Sequence, residues 1–277
     1  MRKVFLSFLA CVFISYAGSA QIQLPAPSPT QTIKQDFGLS SVEINYSRPG
    51  IKGRKIFGDL VPYDKIWRTG ANGNTRVKFG DDVVIGGASV KAGEYALYTI
   101  PGKNEWEIIL NKGVNNGGMN GYKTEDDAAR FKIKPDMLST PVESFTIQMA
   151  DVKPSSAFLQ MRWENTSLSI PITTDMDAKV MGQIDEVMNK DSKPYYQSAL
   201  YYAENGKDLK QAITWFDKAI EQNPKGYWIY HQKANALVKM GKKEEAKITA
   251  QKSLEVARAE KNDDYVRLNE KLIADLK

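Results

Sequence analysis

Residues 159–172, LQMRWENTSLSIPI, decide the fold of the first half of the chain. Apolar side chains occupy every second position of this stretch, first at 159, 161 and 163 and then at 168, 170 and 172. A period of two predicts β-strands that bury one face and expose the other. Pro171 interrupts the second run and has no backbone N–H to donate, which predicts an edge strand at that point.

The same alternation continues outward from this stretch, back to Val42. Clusters of Gly, Asn, Asp and Pro separate the apolar runs, for example at residues 80–82, 86–87 and 101–104. Short alternating runs with turn residues between them, and no helical pattern among them, are typical of antiparallel β proteins. We therefore predict an all-β antiparallel sandwich or jelly-roll-like domain over residues 21–175.

From about Met176 the apolar spacing becomes helical, and the composition shifts to good helix formers. Small and apolar residues recur after 34 or 35 positions: Ala199, Tyr202, Gly206, Ala212, Phe216 and Ala219 return as Ala234, Leu237, Gly241, Ala246, Ala250 and Ser253. This period resembles the tetratricopeptide repeat, a helix–turn–helix unit. The chain is therefore predicted to be multi-domain, with an all-α, tetratricopeptide-like domain over residues 176–277. That domain either binds a protein or peptide partner or serves only as a cap and scaffold.

The first twenty residues have the three-part form of a secretory signal peptide. Arg2 and Lys3 precede an apolar run over residues 4–17, and the small residues 18–20 precede Gln21. The run is too short for a membrane-spanning helix, which needs about 20 residues. We predict cleavage after Ala20, export to the periplasm or the medium, and no membrane-spanning segment in the mature chain. The formal net charge would fall from +5 to +3, because Arg2 and Lys3 would be lost.

The counts of one Cys and one His among 277 residues exclude several kinds of chemistry. A disulfide framework and a conventional Cys/His zinc site both need more of these residues. His231 lies in the repeat region and has no second His near it. Basic and acidic residues are balanced in both halves of the chain, which does not favour nucleic-acid binding. We predict no metal, no cofactor and no catalytic residue.

Residues 46–75, YSRPGIKGRKIFGDLVPYDKIWRTGANGNT, break the alternation, and irregular loops of this kind often carry function. Eight basic and two acidic residues lie between Tyr46 and Lys78. Guanidinium groups match carboxylates and phosphates, and aromatic rings offer stacking walls. The candidate ligand-binding residues for an anionic small molecule are Arg48, Arg54, Tyr63, Trp67, Arg68 and Asn72. The alternative is structural, with each arginine held in a buried ion pair or against an aromatic ring.

The same region resembles the family known as domain of unknown function 2911, which occurs in exported bacterial proteins. The matching motifs are YSRP at 46–49, GRKIF at 53–57, LVPY at 60–63, WRTGAN at 67–72, AGEY at 92–95, IPG at 100–102, Trp106 and WE at 163–164. The resemblance covers about residues 23–173 and implies export, but it implies no activity. Relatives typically carry an acidic and then a small residue after the Asn, where this chain has Gly73 and Asn74. A function of that acidic side chain would be absent here.

Two further segments leave alternatives open. Glu105 and Glu107 share one face of a strand and are either an acid–base pair or charges on a wet face. Residues 111–121, NKGVNNGGMNG, are either a lid over a site or a flexible surface loop.

Three functions are compatible with these patterns. The leading hypothesis is an exported, non-catalytic binding or scaffolding protein whose helical repeat makes protein contacts. The second is an envelope hydrolase that acts on an anionic substrate through the Arg-rich segment 46–78. In the third, the β domain is purely structural and only the repeat binds a partner.

The signal-peptide prediction has a direct test. The secreted or periplasmic chain should begin at Gln21 and contain 257 residues, as read by N-terminal sequencing and intact mass. Ala20→Arg should leave the precursor uncut, because the peptidase requires a small residue just before the cleaved bond. Ser19→Arg, one position further from that bond, should still be processed. Equal processing of both variants would contradict cleavage after Ala20.

Overall fold

The structure is a computed structural model that describes residues 24–190 and 193–276. Its backbone divides into two compact units between Asp175 and Met176, and each unit is described here by itself. The predicted signal peptide, residues 1–20, lies outside the described residues.

The first unit consists of two antiparallel sheets. Its strands are β1 Thr30–Phe37, β2 Ser40–Ser47, β3 Thr75–Phe79, β4 Val83–Ile85, β5 Ala88–Val90, β6 Gly93–Ile100, β7 Trp106–Asn111, β8 Asp127–Ile133, β9 Asp136–Ala150 and β10 Ser156–Thr173. One sheet has the order β1-β2-β3-β6-β7-β8, and the other has the order β5-β4-β10-β9. Apolar side chains from both sheets form one core between them. The predicted antiparallel sandwich is confirmed.

The two apolar runs of residues 159–172 belong to one long strand, β10. Its pairing with β9 shifts register on both sides of Glu164, which has a positive φ of 51°. This irregularity breaks the alternation, so the inward positions of β10 change from odd to even numbers. Leu159 and Ile170 therefore face the same core although their positions differ in parity.

At Pro171 the strand has a partner on one side only, as the edge prediction requires, although β10 as a whole lies inside its sheet. β10 lies between β4 and β9. Its pairing with β9 ends at Ser167, so Pro171 lies beyond the end of that partner. On the other side, the Pro171 carbonyl accepts a hydrogen bond from Gly86 N at 2.9 Å. The missing N–H of Pro171 therefore leaves no gap in the ladder with β9.

An aromatic cluster joins the irregular segment 48–74 to both sheets. Phe57 and Trp67 come from this segment, Trp106 from β7, Phe145 from β9 and Trp163 from β10. The Phe57 ring lies 4.8 Å from that of Trp106, and Trp67 stacks on Trp163 at 5.8 Å. The segment thus contributes its own side chains to the sandwich core rather than lying on the surface.

The second unit is entirely helical in the residues that the structure describes. Its helices are α1 Asp177–Met188, α2 Tyr195–Glu204, α3 Leu209–Gln222, α4 Tyr227–Lys239, α5 Lys243–Ala259 and α6 Asp263–Asp275. Within this part of the chain no helix has the length and apolar content to cross a membrane.

The recurring small residues lie where the helices meet, as the repeat predicts. Ala199, Ala212, Ala234, Ala246 and Ala250 are all fully buried, because a larger side chain would hold the paired helices apart. Gly206 and Gly241 follow α2 and α4 with φ of 68° and 74°, a conformation that glycine adopts without strain at a helix end. The predicted multi-domain fold, β-sandwich plus helical repeat, is confirmed.

The aromatic cluster predicts a large stability cost at Phe57, which is 5% exposed. Phe57→Ala should lower the free energy of unfolding of the first unit by about 3–5 kcal/mol, through lost burial and a residual cavity. A urea titration measures this loss: tryptophan fluorescence reports on both units, because Trp215 and Trp228 lie in α3 and α4, and the helical circular-dichroism signal identifies the transition of the second unit. The control is Leu60→Ala in the same segment, where the side chain is 45% exposed, and it should cost less than about 1 kcal/mol. Similar losses for the two variants would argue against the cluster as the anchor of this segment.

Candidate functional site

Two of the predicted anion-binding arginines are held by carbonyl and hydroxyl oxygens of the protein itself. Arg48 Nε donates to the Phe145 carbonyl at 3.1 Å, and its Nη2 donates to Thr146 Oγ1 at 2.8 Å. Arg54 Nε and Nη2 donate to the carbonyls of Ile51 and Gly50 at 3.0 and 2.7 Å. The first arginine ties segment 48–74 to β9, and the second closes a local turn. The two groups do not converge on one ligand.

The two predicted stacking residues pack inward. Trp67 belongs to the aromatic cluster, and its indole Nε1 donates to the Gly70 carbonyl at 3.1 Å. Tyr63 packs against the same core and lies over Gly58, where a Cβ would come within 2.5 Å of the tyrosine ring. Neither ring forms an open wall for a ligand.

Arg68 and Asn72, the remaining predicted residues, do lie close together. A Cβ on Gly118 would be 3.0 Å from Arg68 Nη1 and 3.6 Å from the Asn72 carbonyl oxygen. In the described part of the chain the Arg68 guanidinium has no ion-pair partner, and its Nε is buried without a hydrogen bond. Asn72 Nδ2 donates to Ser47 Oγ at 3.1 Å and to the Ser28 carbonyl at 3.2 Å.

A cavity of about 260 Å³ opens beside this pair. Its walls come from β1, β2 and β3, the loop before β3, and the loop that follows β7. The lining residues are Thr30, Asn45, Tyr46, Ser47, Asn72, Gly73, Asn74, Arg76, Val114, Asn115 and Asn116. No Asp or Glu is among these lining residues, and most of them offer hydroxyl or amide groups.

Polar atoms with unmet hydrogen-bonding capacity surround the cavity. Both amide atoms of Asn74, Nδ2 of Asn116 and Arg68 Nε are buried and form no hydrogen bond of good geometry within the described residues, although both amides lie close enough to the Tyr98 hydroxyl to lower its pKa. A buried group of this kind costs about 1–3 kcal/mol of stability, so such groups are uncommon and call for an explanation.

Tyr98 on β6 fixes the loop that closes one side of the cavity. Its hydroxyl donates to the Gly118 carbonyl at 3.0 Å, and its ring packs edge-on against Tyr122 at 5.1 Å. Burial raises the pKa of the Tyr98 hydroxyl, and the nearby amides of Asn116 and Asn74 oppose that rise. The phenol therefore stays protonated at neutral pH and keeps donating to the loop.

The backbone next to the cavity is strained. Thr69 and Asn72 have φ of 53° and 59°, and the left-handed region is unfavourable for a β-branched residue such as Thr69. Thr69 is fully buried, and its carbonyl accepts from Thr75 Oγ1 at 2.6 Å. Strained residues of this kind persist only where surrounding contacts enforce them, and they often cluster at functional sites.

The structure brings only some of the predicted ligand-binding residues to this cavity. Segment 46–75 supplied Arg68 and Asn72, whereas Arg48, Arg54, Tyr63 and Trp67 have structural contacts. Asn74, Asn116 and Tyr98 were not among the predicted site residues. The Asn-rich pattern of residues 111–121 was the signal that pointed to this second wall. This loop is packed rather than free, since Gly118 is buried against Arg68.

The other charged candidates lie in ion pairs. Glu105 pairs with Lys132 at 3.0 Å, and Glu107 pairs with Arg130 at 2.9 Å, as expected of charges on the wet face of a sheet. Among the described residues, no three His, Cys, Asp or Glu side chains are grouped so as to hold a metal ion.

The helical unit has a groove of about 390 Å³ between α2 and α4. Its lining combines amide, charged and apolar side chains: Ala203, Glu204, Gln232, Asn235, Ala236, Val238 and Lys239. Lys239 Nζ donates to the Ala203 carbonyl at 2.6 Å and so links the two helices at the end of α2. The groove lies along the first helix of each helical pair.

His231 has a structural position between helices. Its Nδ1 lies 2.8 Å from Asn269 Oδ1, and Asn269 Nδ2 donates to Ser253 Oγ at 2.8 Å. Ser253 Oγ in turn donates to the Tyr227 carbonyl at 2.7 Å. This buried chain of hydrogen bonds joins α4, α5 and α6.

The different surroundings of Arg48 and Arg54 predict different mutational costs. Arg48→Ala should lower the free energy of unfolding of the first unit by about 1.5–3 kcal/mol, because it leaves partly buried acceptors on β9 unpaired. Arg54→Ala should cost less than about 1 kcal/mol, because Arg54 is exposed and its acceptors remain open to water. Urea titration of both variants measures the difference. A larger cost at Arg54 than at Arg48 would contradict this assignment.

Comparison with known proteins agrees with both units. A family model described as "Protein of unknown function (DUF2911)" matches residues 28–172, more than half of the chain. Two models of the tetratricopeptide repeat match residues 192–225 and 215–248. No curated protein and no solved structure matches. Because the first of these models covers more than half of the chain, the chain belongs to the DUF2911 family.

Proposed function

We propose that this protein is an exported, non-catalytic binding protein whose helical unit holds a protein partner in the periplasm or outside the cell. The observation that carries the proposal is the pair of tetratricopeptide matches over helices α2 to α5. Repeats of this type stack helical pairs and present extended surfaces to other proteins. The export half of the proposal rests on the signal-peptide pattern of residues 1–20.

The groove between α2 and α4 is the best-supported contact surface for a partner. Gln232 and Asn235 carry amides that can both donate to and accept from a peptide backbone. Val238, which is 37% exposed, adds an apolar contact on the same wall. Glu204 and Lys239 place one charge of each sign at the α2 end of the groove. This pair would favour a partner that presents a positive group to Glu204 and a negative group to Lys239.

The hydrolase alternative has less support from the geometry. Hydrolysis through carboxylates needs an acid and a base beside the bound substrate. The lining of the cavity in the first unit, as the described residues form it, includes neither Asp nor Glu. The Arg48 and Arg54 side chains, which that alternative requires at a substrate, are held elsewhere. A purely structural β unit stays open as the third hypothesis.

Site-specific photo-crosslinking in cells tests the proposed function. A photoreactive amino acid at Val238, in the groove, should form a discrete covalent adduct with one protein. The same amino acid at Ile248 on α5, which is 66% exposed and outside the groove lining, should not form that adduct. Mass spectrometry then identifies the partner for purification.

Titration of the purified partner completes the test. Asn235→Arg should raise the Kd at least about tenfold, which corresponds to about 1.4 kcal/mol, because the longer charged side chain would clash with a partner seated in the groove. Gln251→Arg, at an exposed position of α5, should leave the Kd unchanged. No adduct from Val238, or equal affinity of the partner for both variants, would overturn the groove as the binding surface.

A further inference from the structure

Several buried polar atoms around the cavity of the first unit form no hydrogen bond of good geometry within the described residues. Arg68 Nε, Asn74 Nδ2 and Asn116 Nδ2 are three buried donors, and Asn74 Oδ1 is a buried acceptor. Asn74 and Asn116 line the cavity, and Arg68 lies beside Gly118, in the same loop as Asn116. Because both atoms of the Asn74 amide lack a partner, exchanging its oxygen and nitrogen does not remove the mismatch.

The charge around the cavity favours an anion. Arg76 lines the cavity. Its Nη1 lies 3.8 Å from Glu94 Oε1, which is long for an ion pair, and both side chains are 42% exposed. Arg68 lies beside Gly118 and the carbonyl of the lining residue Asn72, and it has no ion pair within the described residues. Because no acidic side chain lines the cavity, a carboxylate would be attracted by Arg68 and by Arg76, whose charge Glu94 offsets only in part.

The buried acceptor Asn74 Oδ1 restricts the chemical class of the ligand further. A simple carboxylate such as acetate can use the three donors, but at neutral pH it has no proton to donate to the Asn74 oxygen. A hydroxyl group on the ligand would donate to that oxygen and could also reach the Ser47 hydroxyl and the Asn45 amide on β2. The cavity, at about 260 Å³, is slightly smaller than common sites for drug-sized ligands.

We propose that this cavity binds a small carboxylate that carries hydroxyl groups, such as a sugar acid. Its carboxylate is held by Arg68, Asn116 and the Asn74 amide nitrogen, and one of its hydroxyls donates to Asn74 Oδ1. Because these atoms are buried, and Val114, Asn115 and Asn116 of the Gly- and Asn-rich loop line the cavity, ligand entry on this proposal requires that loop to move aside. The loop then closes through the Tyr98–Gly118 hydrogen bond.

Isothermal titration calorimetry of the purified chain tests the proposal with named probes. D-glucuronate, D-galacturonate and D-gluconate represent hydroxylated carboxylates. D-glucose lacks the charge, acetate lacks the hydroxyls, and inorganic phosphate supplies a different anion. We expect at least one of the three sugar acids to bind with one-to-one stoichiometry, at least about tenfold more tightly than glucose, acetate or phosphate. Failure of all three acids to bind, or stronger binding of phosphate, would overturn the proposal.

Matched variants distinguish a binding role from a structural one. Asn74→Leu keeps the side-chain shape and removes the unpaired amide, so it should preserve or raise the Tm of the free protein. The same change should weaken sugar-acid binding at least about tenfold, and Arg68→Met should do likewise. Asn120→Ala, at an exposed position of loop 112–121 and outside the cavity lining, should change neither the Tm nor the sugar-acid affinity.

Two outcomes of this comparison would overturn the assignment. A lower Tm for Asn74→Leu with unchanged sugar-acid affinity would show that the amide is purely structural. A higher Tm for Asn74→Leu, with no binding of any acid to the unaltered chain, would show that the cavity holds only solvent. The effect of Asn74→Leu on the Tm and the sugar-acid affinity both report on the first unit. They therefore do not depend on whether the groove of the second unit binds a partner.

Discussion

The insertion of Phe57 and Trp67 between the two sheets is the contact on which the first unit depends. These residues belong to segment 48–74, which is irregular, yet their rings reach Trp106 on one sheet and Phe145 and Trp163 on the other. Large aromatic rings bury much apolar area and pack in defined geometries, so they fix the position of a segment that has no ladder of its own. These contacts give the irregular segment a position as well defined as that of a hydrogen-bonded strand.

The polar features of the unit follow from that anchoring. Trp67 exchanges two backbone hydrogen bonds with Thr99, at 2.7 and 2.9 Å, which holds the chain against β6. The chain must then turn sharply to enter β3 at Thr75, and Thr69 and Asn72 adopt left-handed conformations in that turn. The aromatic core offsets the cost of this strain. This turn places Arg68 beside Gly118 of the loop after β7, and Asn74 in the lining of the same cavity as Asn116.

The helical unit is held together by close helix packing rather than by a cluster of aromatic rings. Its helices approach closely because alanine and serine stand at the contact points, and dispersion forces act well only at such short range. The buried His231–Asn269–Ser253 chain adds hydrogen bonds with directional requirements to this otherwise apolar packing. A fully paired polar network of this kind specifies one arrangement of α4, α5 and α6, because any other leaves buried groups unpaired.

The sequence alone determined that the first unit is built from alternating strands and the second from a helical repeat. These depend on local periodicity: a strand repeats every two residues and a helix every 3.6, whatever lies opposite. It also pointed to segment 46–75, because that segment departs from both periods. Only the tertiary structure decided which residues of the segment pack inward, where β10 shifts register at Glu164, and that Pro171 lies beyond the end of β9. The reason is that burial and hydrogen-bond pairing depend on residues far away in the sequence. Arg48 and Arg68 look alike in the chain, but β9 offers acceptors to the first, while in the described residues nothing pairs with the second.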